Sequence, residues 1–562
     1  MLAEGYAVVI CKHLPGRSMC EGDPLQAAAS KRVFSGAVNA RFKHTVQPNF
    51  SCACMSRIAI IVPYARRLAF GPAYLSAALR SRGHDVFVIF FKKYEWAWMN
   101  TVEHADTSQF HTLYTSSGAD RVFCYPRPYS EIEAEKLLSV LRSIRPDLIG
   151  LSFSYVSFDT AIQLTRLVQS RLSVPVIWGG IVPTSEPERS IEIADFICIG
   201  EGEMALADLA DAFDISGDTS HIPNIWAREG SKVHKNQPGP LVQDLDALPL
   251  PDYSPDNKCL IERDTIMENY GFADTTGHYD IMTARGCPFS CSFCANELIR
   301  SLYPGQKYVR RRSVSNVIGE LKSAKSVYGP RLSYIYFFDD VFTLQQSWLE
   351  EFAERYPSEV GLPFWCYTHP SVAEPEMFEL LKKAGLHRIT SGIQSGSERI
   401  LRDVYNRPTS RRQIMDMAEN LERLGVPYDF DIISNNPLET DDDCQQTLDL
   451  LLRLPAPVRL NTGVIKLYIY PNTQIARKFN IQPGICRVDE KRYAFFNRLY
   501  ILAQSQALRP VLRFFSRRRF LRTHPKLLHV LLLVPVMKRR FWVFLDRYAP
   551  RLVPLFTRRP DM

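Results

Sequence analysis

The chain has 562 residues, 46% hydrophobic and 23% charged, a composition that excludes wholesale disorder and a length with room for about three domains. Its formal charge of +8 is uneven: residues 491–562 hold 17 Lys or Arg against only Asp546 and Asp561, a balance of +15, so the remaining 490 residues are net −7. Thirteen cysteines are too sparse for a disulfide scaffold. No stretch approaches the ~18–20 apolar residues that cross a bilayer; the longest candidate, Leu527–Met537, has 11 residues and contains His529 and Pro535. The start, without a basic region, long apolar run and cleavage site, shows no signal peptide. The expectation is a cytoplasmic protein, where clustered cysteines mean metal or redox chemistry.

Residues 1–54 lack periodicity and are expected to be a disordered or mis-called extension, with Met55 as the natural initiator and Cys52 and Cys54 outside the folded unit. A chain beginning at Met55 that failed to fold would refute this. From 55 to 215, apolar runs alternate with amphipathic helices. Strands are predicted at Ile58–Val62, Asp85–Phe91, Leu148–Ser154, Val174–Trp178 and Phe196–Ile199, and helices at Gly71–Ser81, Glu133–Ile144, Asp159–Arg171 and Met204–Ala212. Strands that are continuously apolar are buried on both faces, so an α/β doubly wound parallel sheet is expected, with ligands at its strand ends. Residues 216–275, including Leu248-Pro-Leu-Pro-Asp-Tyr-Ser-Pro255, read as a weakly patterned linker.

A second alternating region occupies 276–480. Its strands are predicted at Asp280–Thr283, Tyr334–Phe338, Phe364–Thr368, Arg388–Ile393, Tyr428–Ile433 and Val464–Tyr470. Helices separate them, among them Ser313–Tyr328 and Arg411–Leu424, which ends at Gly425, a natural C-terminal cap. Six such units imply a partial (β/α)6 barrel with its active site at the strand C-termini. Residues 481–562 form a basic, helical C-terminal region.

The segment Arg285-Gly-Cys-Pro-Phe-Ser-Cys-Ser-Phe-Cys294 places Cys287, Cys291 and Cys294 at C-x3-C-x2-C spacing just after a strand. A cubane cluster has four irons, so three thiolates leave one iron without a protein ligand, free to chelate S-adenosylmethionine (SAM). A structural zinc site is the alternative; it needs a fourth ligand, and the usual paired C-x2-C arrangement is missing.

In these residues the sequence resembles the radical SAM superfamily. The resemblance implies a 4Fe-4S cluster on the three cysteines, cleavage of SAM to a 5′-deoxyadenosyl radical, and Phe293 beside the adenine. The run Phe337-Phe-Asp-Asp-Val-Phe-Thr343 stands where the family meets the SAM amino group, making Asp339 and Asp340 candidates, although either could instead cap the next helix. Gly392-Ile-Gln-Ser-Gly-Ser-Glu398, continuing to Asn406-Arg407, resembles the fourth-strand motif and implies that Gln394, Ser395 and Arg407 contact the SAM carboxylate or ribose. Tyr470-Pro-Asn-Thr473 stands where many relatives have Pro-Gly-Thr, and Asn still permits a positive φ.

The region 55–215 is similar to the cobalamin-binding domain that precedes many radical SAM barrels. Gly71-Pro-Ala-Tyr-Leu-Ser-Ala-Ala-Leu79, Leu148-Ile-Gly-Leu-Ser-Phe-Ser154, Trp178-Gly-Gly-Ile-Val-Pro183 and Ile199-Gly-Glu-Gly-Glu203 carry the likeness. It implies that Ser152, Ser154, Gly179, Gly180, Gly200 and Glu201 hold cobalamin; the glycines alone would equally suit tight turns in an unliganded flavodoxin-like sheet. The D-x-H-x-x-G segment that supplies a histidine to cobalt in cobalamin mutases would put Leu68 at the histidine position. No nearby histidine replaces it, and His84 reads as a surface residue of the Gly83-His84 turn. The lower face of cobalt is then open, or occupied by water or another side chain.

Cys366, on the third barrel strand, either faces the active site or, the commoner reading, is a buried structural thiol, and His369, at that strand's end, is a candidate for substrate or proton chemistry. The tail interleaves aromatics with arginines, as in Phe514-Phe-Ser-Arg-Arg-Arg-Phe520 and Lys538-Arg-Arg-Phe-Trp-Val-Phe544. Three readings stay open for 491–562: contact with the inner face of an anionic membrane, a helical cap on the barrel, or, least favoured without a recognised RNA-binding module, nucleic acid. Taken together, the resemblances imply a cobalamin-dependent radical SAM enzyme that methylates an unactivated carbon through a 5′-deoxyadenosyl radical and methylcobalamin. The alternatives are a cyclase or ring-rearranging enzyme without methyl transfer, and a non-catalytic Fe-S electron carrier. A small-molecule or lipid substrate and an external electron donor such as flavodoxin or ferredoxin are the expected partners; the substrate itself is not legible.

Overall fold

The computed structural model describes residues 55–64, 70–93, 95–98, 111–114, 121–125, 127–214, 218–271, 277–455, 460–486 and 488–518. The expectations for residues 1–54, Leu68 and the tail beyond 518 lie outside the described residues.

The first apolar run becomes β1 (Arg57–Pro63), of which only Arg57 is exposed. It pairs in parallel with β2 (Asp85–Phe91) on one side and β3 (Leu148–Ser152) on the other, and β4 (Val176–Gly179) and β5 (Phe196–Cys198) continue the parallel sheet beyond β3. Period-two alternation divides each strand between two cores. Ile58, Ile60 and Val62 pack with α1 (Phe70–Ser81), while Ala59 and Ile61 pack with α2 (Glu131–Ile144) and α3 (Phe158–Arg171). A further helix, α4 (Glu203–Asp214), joins α1 on the first face. The sheet is therefore doubly wound, as its apolar runs predict.

The expected linker is instead part of this sheet. Beyond β5, β6 (Ile225–Glu229) and β7 (Lys232–Lys235) form an antiparallel extension, and beyond β2, β8 (Lys258–Glu262) pairs in parallel and carries β9 (Thr265–Glu268) antiparallel, giving nine strands. Each added strand has only four or five residues, and the edge strands β7 and β9 bury nothing fully, so no sustained hydrophobic period marks them.

The second region curls six parallel strands in chain order: β10 (His278–Ile281), β11 (Tyr334–Phe337), β12 (Phe364–Thr368), β13 (Leu386–Gln394), β14 (Tyr428–Ser434) and β15 (Leu460–Lys466). Among the described residues β10 and β15 do not pair, so the sheet is an open half barrel. Ile335, Phe337, Phe364, Ile389 and Phe430 face the surrounding helices in the same core that holds Ile58 and α4. On the opposite face Tyr336, Phe338 and Trp365 form an aromatic cluster, with Phe70, Tyr334 and Tyr367 packed against it. The expected last strand is split: β15 ends at Lys466, and Tyr468–Ile469 pairs with Gly484–Ile485. Asn472 takes the positive φ, 60°, that its place in the Pro-Asn-Thr turn asks of it. The start of the basic tail, helix Glu490–Leu502, seats Tyr493, Phe496 and Leu499 in the core and caps the barrel. No helix among the described residues is long and apolar enough to cross a membrane.

Candidate cofactor cleft between the sheet and the half barrel

The cysteine loop runs from β10 to α5 (Ala295–Ser301). Ser292 fastens it: its N–H donates to Tyr405 O at 2.8 Å, its hydroxyl to Val404 O at 2.6 Å, and its carbonyl accepts from Ile475 N at 2.9 Å. Cys291 is buried, Cys287 and Cys294 half-buried. Burial, reinforced by the negative charge of Asp340, pushes the Cys287 thiol up to about 12 and the Cys294 thiol higher still. Thiols this reluctant to ionise need a metal to displace the proton. Among the described residues no three His, Cys, Asp or Glu side chains gather as ligands of one ion. A cubane asks for wider spacing, because each thiolate binds its own iron.

Arg407 is 8% exposed and lies against this loop, donating from Nη1 to Cys291 Sγ at 3.4 Å and from Nη2 to Gly392 O. Arg407 Nε, Gln394 Oε1 and Ser391 Oγ are buried without a hydrogen-bond partner, the condition of polar groups built for a ligand. Gln394 sits at φ 64°, where the register of β13 against β14 shifts, and that bulge re-aims its side chain. Phe293 packs edge-on against Tyr405, ring centroids 4.8 Å apart.

The two aspartates part company. Asp339 is fully buried, accepts from Thr283 N (2.6 Å), Ala284 N (3.0 Å) and the Thr283 hydroxyl, and pairs with Arg311 at 3.4 Å. It caps no helix; it pins the strand end from which the cysteine loop departs. Asp340 lines the cleft described below. Ser395 is also committed internally: its hydroxyl bonds Thr447 at 3.2 Å and accepts from Ser397 N at 3.1 Å, facing helix α6 (Asp441–Arg453). The structure also places three further residues singled out in the sequence. Cys366 is a fully buried thiol held well above its ordinary range by burial. His369 stacks on Phe289 at 3.7 Å and accepts from Ser371 N through Nδ1, and burial drops its pKa to about 2, so it stays neutral. His84 is not a surface residue: it is 6% exposed and bonded to Asp211 at 2.9 Å, because the Gly83 turn tucks its ring under α4.

The loops after β3, β4 and β5 open on a cleft of about 1600 Å³, counting space open to solvent. Ser152, Ser154, Gly179, Gly180, Gly200 and Glu201 line it from the sheet; Arg285, Gly286 and Asp340 line it from the barrel. Two glycines are demanded by geometry. Gly180 has φ 103° and a Cβ there would lie 2.8 Å from Phe153 O, while Gly200 has φ 81° and its Cβ would fall 1.9 Å from Tyr303 Oη. Both demands come from protein packing; at Gly179, by contrast, a Cβ would enter open space, so that glycine leaves room in the cleft, to which Phe70, Tyr74 and Leu75 add apolar wall.

Glu201 belongs to more than the cleft. Its carboxylate accepts from Arg310 Nη2 and Nη1 at 2.7 and 3.0 Å and pairs with Arg285 Nη1 at 3.3 Å; Glu203 takes Arg285 Nη2 at 2.6 Å. Burial pushes the Glu201 carboxyl up, but the two guanidiniums hold it below its ordinary value. Sequence reasoning missed Arg285, Arg310 and Glu203. The available signal was the run Arg310-Arg311-Arg312, whose members meet Glu201, Asp339 and Glu320 in turn.

Comparison with known proteins agrees with this geometry. The profile of the Radical SAM superfamily matches residues 281–451, and that of the B12 binding domain residues 127–210. An uncharacterized methyltransferase of Pyrococcus horikoshii is 27% identical over 57% of this chain and 66% of its own length. The anaerobic magnesium-protoporphyrin IX monomethyl ester cyclase of Cereibacter sphaeroides is 24% identical over 58% of this chain and 51% of its own length. The chain therefore spans between half and two thirds of these relatives. Among solved structures, the cobalamin-dependent S-adenosylmethionine radical enzyme OxsB, with aqua-cobalamin and S-adenosylmethionine bound, shares the fold at a TM-score of 0.59 and 16% identity, over 91% of this chain and 82% of that one. The chain thus joins a B12 binding domain to a radical SAM domain, and it shares its fold with a cobalamin-dependent radical SAM enzyme. The cofactors these two domains call for are a 4Fe-4S cluster, SAM and cobalamin.

Proposed function

We propose that the protein is a methyltransferase acting on an unactivated carbon, with Cys287, Cys291 and Cys294 holding the cluster and the glycine and serine loops after β3, β4 and β5 holding cobalamin. One observation carries the reading: a single cleft is lined by Gly179 and Gly200 from one side and by Gly286 and Asp340, neighbours of the cysteines, from the other. When bound, the cluster and SAM supply a hydrogen-abstracting radical and cobalamin the methyl group. The protein's own residues position these groups. Gln394 and Ser391 offer unfilled polar atoms, and Asp340 a carboxylate, to the amino-acid end of SAM. The ring cluster of Tyr336, Phe338 and Trp365 keeps water from the lumen and suits an apolar, ring-rich substrate.

Relatives support methyl transfer by name, among them the Pyrococcus methyltransferase, while the Cereibacter cyclase supports the second reading, ring formation without methyl transfer. Anaerobic reconstitution with iron, sulfide, cobalamin and methyl-labelled SAM separates them. Expected are 5′-deoxyadenosine and label on the corrin; label confined to methionine overturns methyl transfer in favour of cyclisation. Reduction of the cluster calls for an external one-electron donor. Contact with a membrane face is part of the proposal: helix Arg509–Ser516 exposes Val511 and Phe514 beside Arg513. Liposome flotation of the full chain against one ending near 510 tests this, equal binding being the refuting result.

A further inference from the structure

The whole Gly200–Glu203 loop lines the cleft, and its two acids, Glu201 and Glu203, also reach across to the barrel. Arg285, which Glu203 and Glu201 share, stands two residues before Cys287, with only Gly286 between. Arg310, Glu201's other partner, is 2% exposed at its side chain and lies on the two-stranded ribbon in which Arg310–Arg311 pairs with Ala284–Arg285. Both arginines thus belong to the support from which the cysteine loop departs. A third contact closes the set: Tyr303, just past α5, accepts from Glu201 N at 3.4 Å, and its hydroxyl fills the place that a side chain at Gly200 would take. The loop cannot shift at Gly200 without drawing on Arg285 and Tyr303, which flank the cysteines on both sides in sequence.

We infer that Glu201 and Glu203 are positioning residues that lock the cysteine loop to the cleft-lining glycine loop, so that cleft occupancy and the surroundings of Cys287 are coupled. The inference rests on the proposed placement of cobalamin in the cleft and of the cluster on the cysteines. Coupling of this kind is reciprocal: the factor by which cobalamin changes the affinity for the cluster is the factor by which the cluster changes the affinity for cobalamin.

The test uses full-length protein, reconstituted anaerobically with iron and sulfide, with and without hydroxocobalamin. Iron retained at equilibrium is measured against graded chelator, and cobalamin affinity is measured on cluster-loaded and cluster-free protein. In the wild type cobalamin is expected to raise the chelator concentration that removes half the iron about fivefold or more, and the cluster to tighten cobalamin by a similar factor. Glu201→Gln is expected to bring both ratios to about one. Because that change leaves Arg310 buried with half its partner, a Glu201→Met, Arg310→Met double variant removes both charges while filling the space, and should fold yet lack the coupling. A merely structural salt bridge would alter stability and leave the ratios intact. Coupling retained in either folded variant, or absent from the wild type, overturns the inference. Failure of the wild type to take up either cofactor overturns the functional reading instead.

Discussion

Replacing Arg407 by Met should make the cluster harder to reduce. The guanidinium lies 3.4 Å from Cys291 Sγ and is 8% exposed, so its charge is poorly screened. At an effective dielectric of about 20, two unit charges at that distance interact by about 5 kcal/mol. Only the part that changes on reduction counts, and a charged hydrogen bond nets about 1.5–3 kcal/mol. Since about 1.4 kcal/mol corresponds to a tenfold change, and for one electron to about 59 mV, the midpoint potential should fall by about 60–130 mV. The added electron spreads over four irons, which favours the lower end. The assay is a potentiometric titration of the reconstituted cluster followed by EPR. Asp340→Asn, removing a negative charge that acts on Cys287 and Cys294, should move the potential upward in the same assay. An Arg407→Met shift below about 20 mV, or in the upward direction, would refute the reasoning that places this arginine on the cluster rather than only on SAM.

Gly179→Ala and Gly180→Ala make a discriminating pair. A Cβ at Gly179 meets nothing within 4 Å, so this variant should keep its unfolding midpoint and lose cobalamin affinity; unchanged affinity would remove Gly179 from the cobalamin site. Gly180→Ala forces a left-handed φ against Phe153 O and should also destabilise the fold by about 1–3 kcal/mol, read from chemical denaturation. Lys92→Met should cost about 1–3 kcal/mol by the same measurement, because it breaks a fully buried pair at 3.0 Å but leaves Glu133 paired with Arg127 at 2.9 Å; a loss under about 0.5 kcal/mol would contradict this. Glu439→Gln should flatten the pH dependence of stability. Burial pushes the Glu439 carboxyl up to about 8, so between about pH 4.5 and 8 the native state holds a proton that the unfolded chain releases. Stability from this group is full at the acid end and falls by up to about 1.4 kcal/mol per unit as pH rises, until it is lost above 8. Parallel denaturation curves for Glu439→Gln and wild type across that range would exclude the effect.

What was legible in the sequence was chemistry carried by local pattern. The three cysteines, the serine and glycine loops and the six apolar strands each announce themselves within a few residues. What escaped was pairing across distance. Glu201 reads as one residue of a turn, and nothing near it reveals that Arg310, 109 positions on, supplies its charge partner. Asp339 and Ser395 sit in motifs that suggest ligand contact, yet their oxygens are consumed by Thr283, Ala284, Thr447 and Ser397. Gln394 and Arg407, from the same motif as Ser395, keep buried atoms unfilled. The distinction depends on which way each side chain turns at the β13 bulge, a matter of register that composition does not encode. Residues 216–275 were missed for a different reason: strands of four or five residues, added in pairs at the two ends of a sheet, show no period long enough to read.

The apolar core that unites Ile58, Val88 and Leu206 with Ile335, Phe430 and Leu499 has a consequence for the history and engineering of such chains. A module that can be exchanged between proteins must carry its own interior, and here the interior crosses the boundary between the two folds. Grafting the first sheet onto a foreign barrel would bare that shared surface on both halves. New specificities are therefore more accessible by recolouring the aromatic lumen, whose residues face away from the common core, than by recombining whole domains.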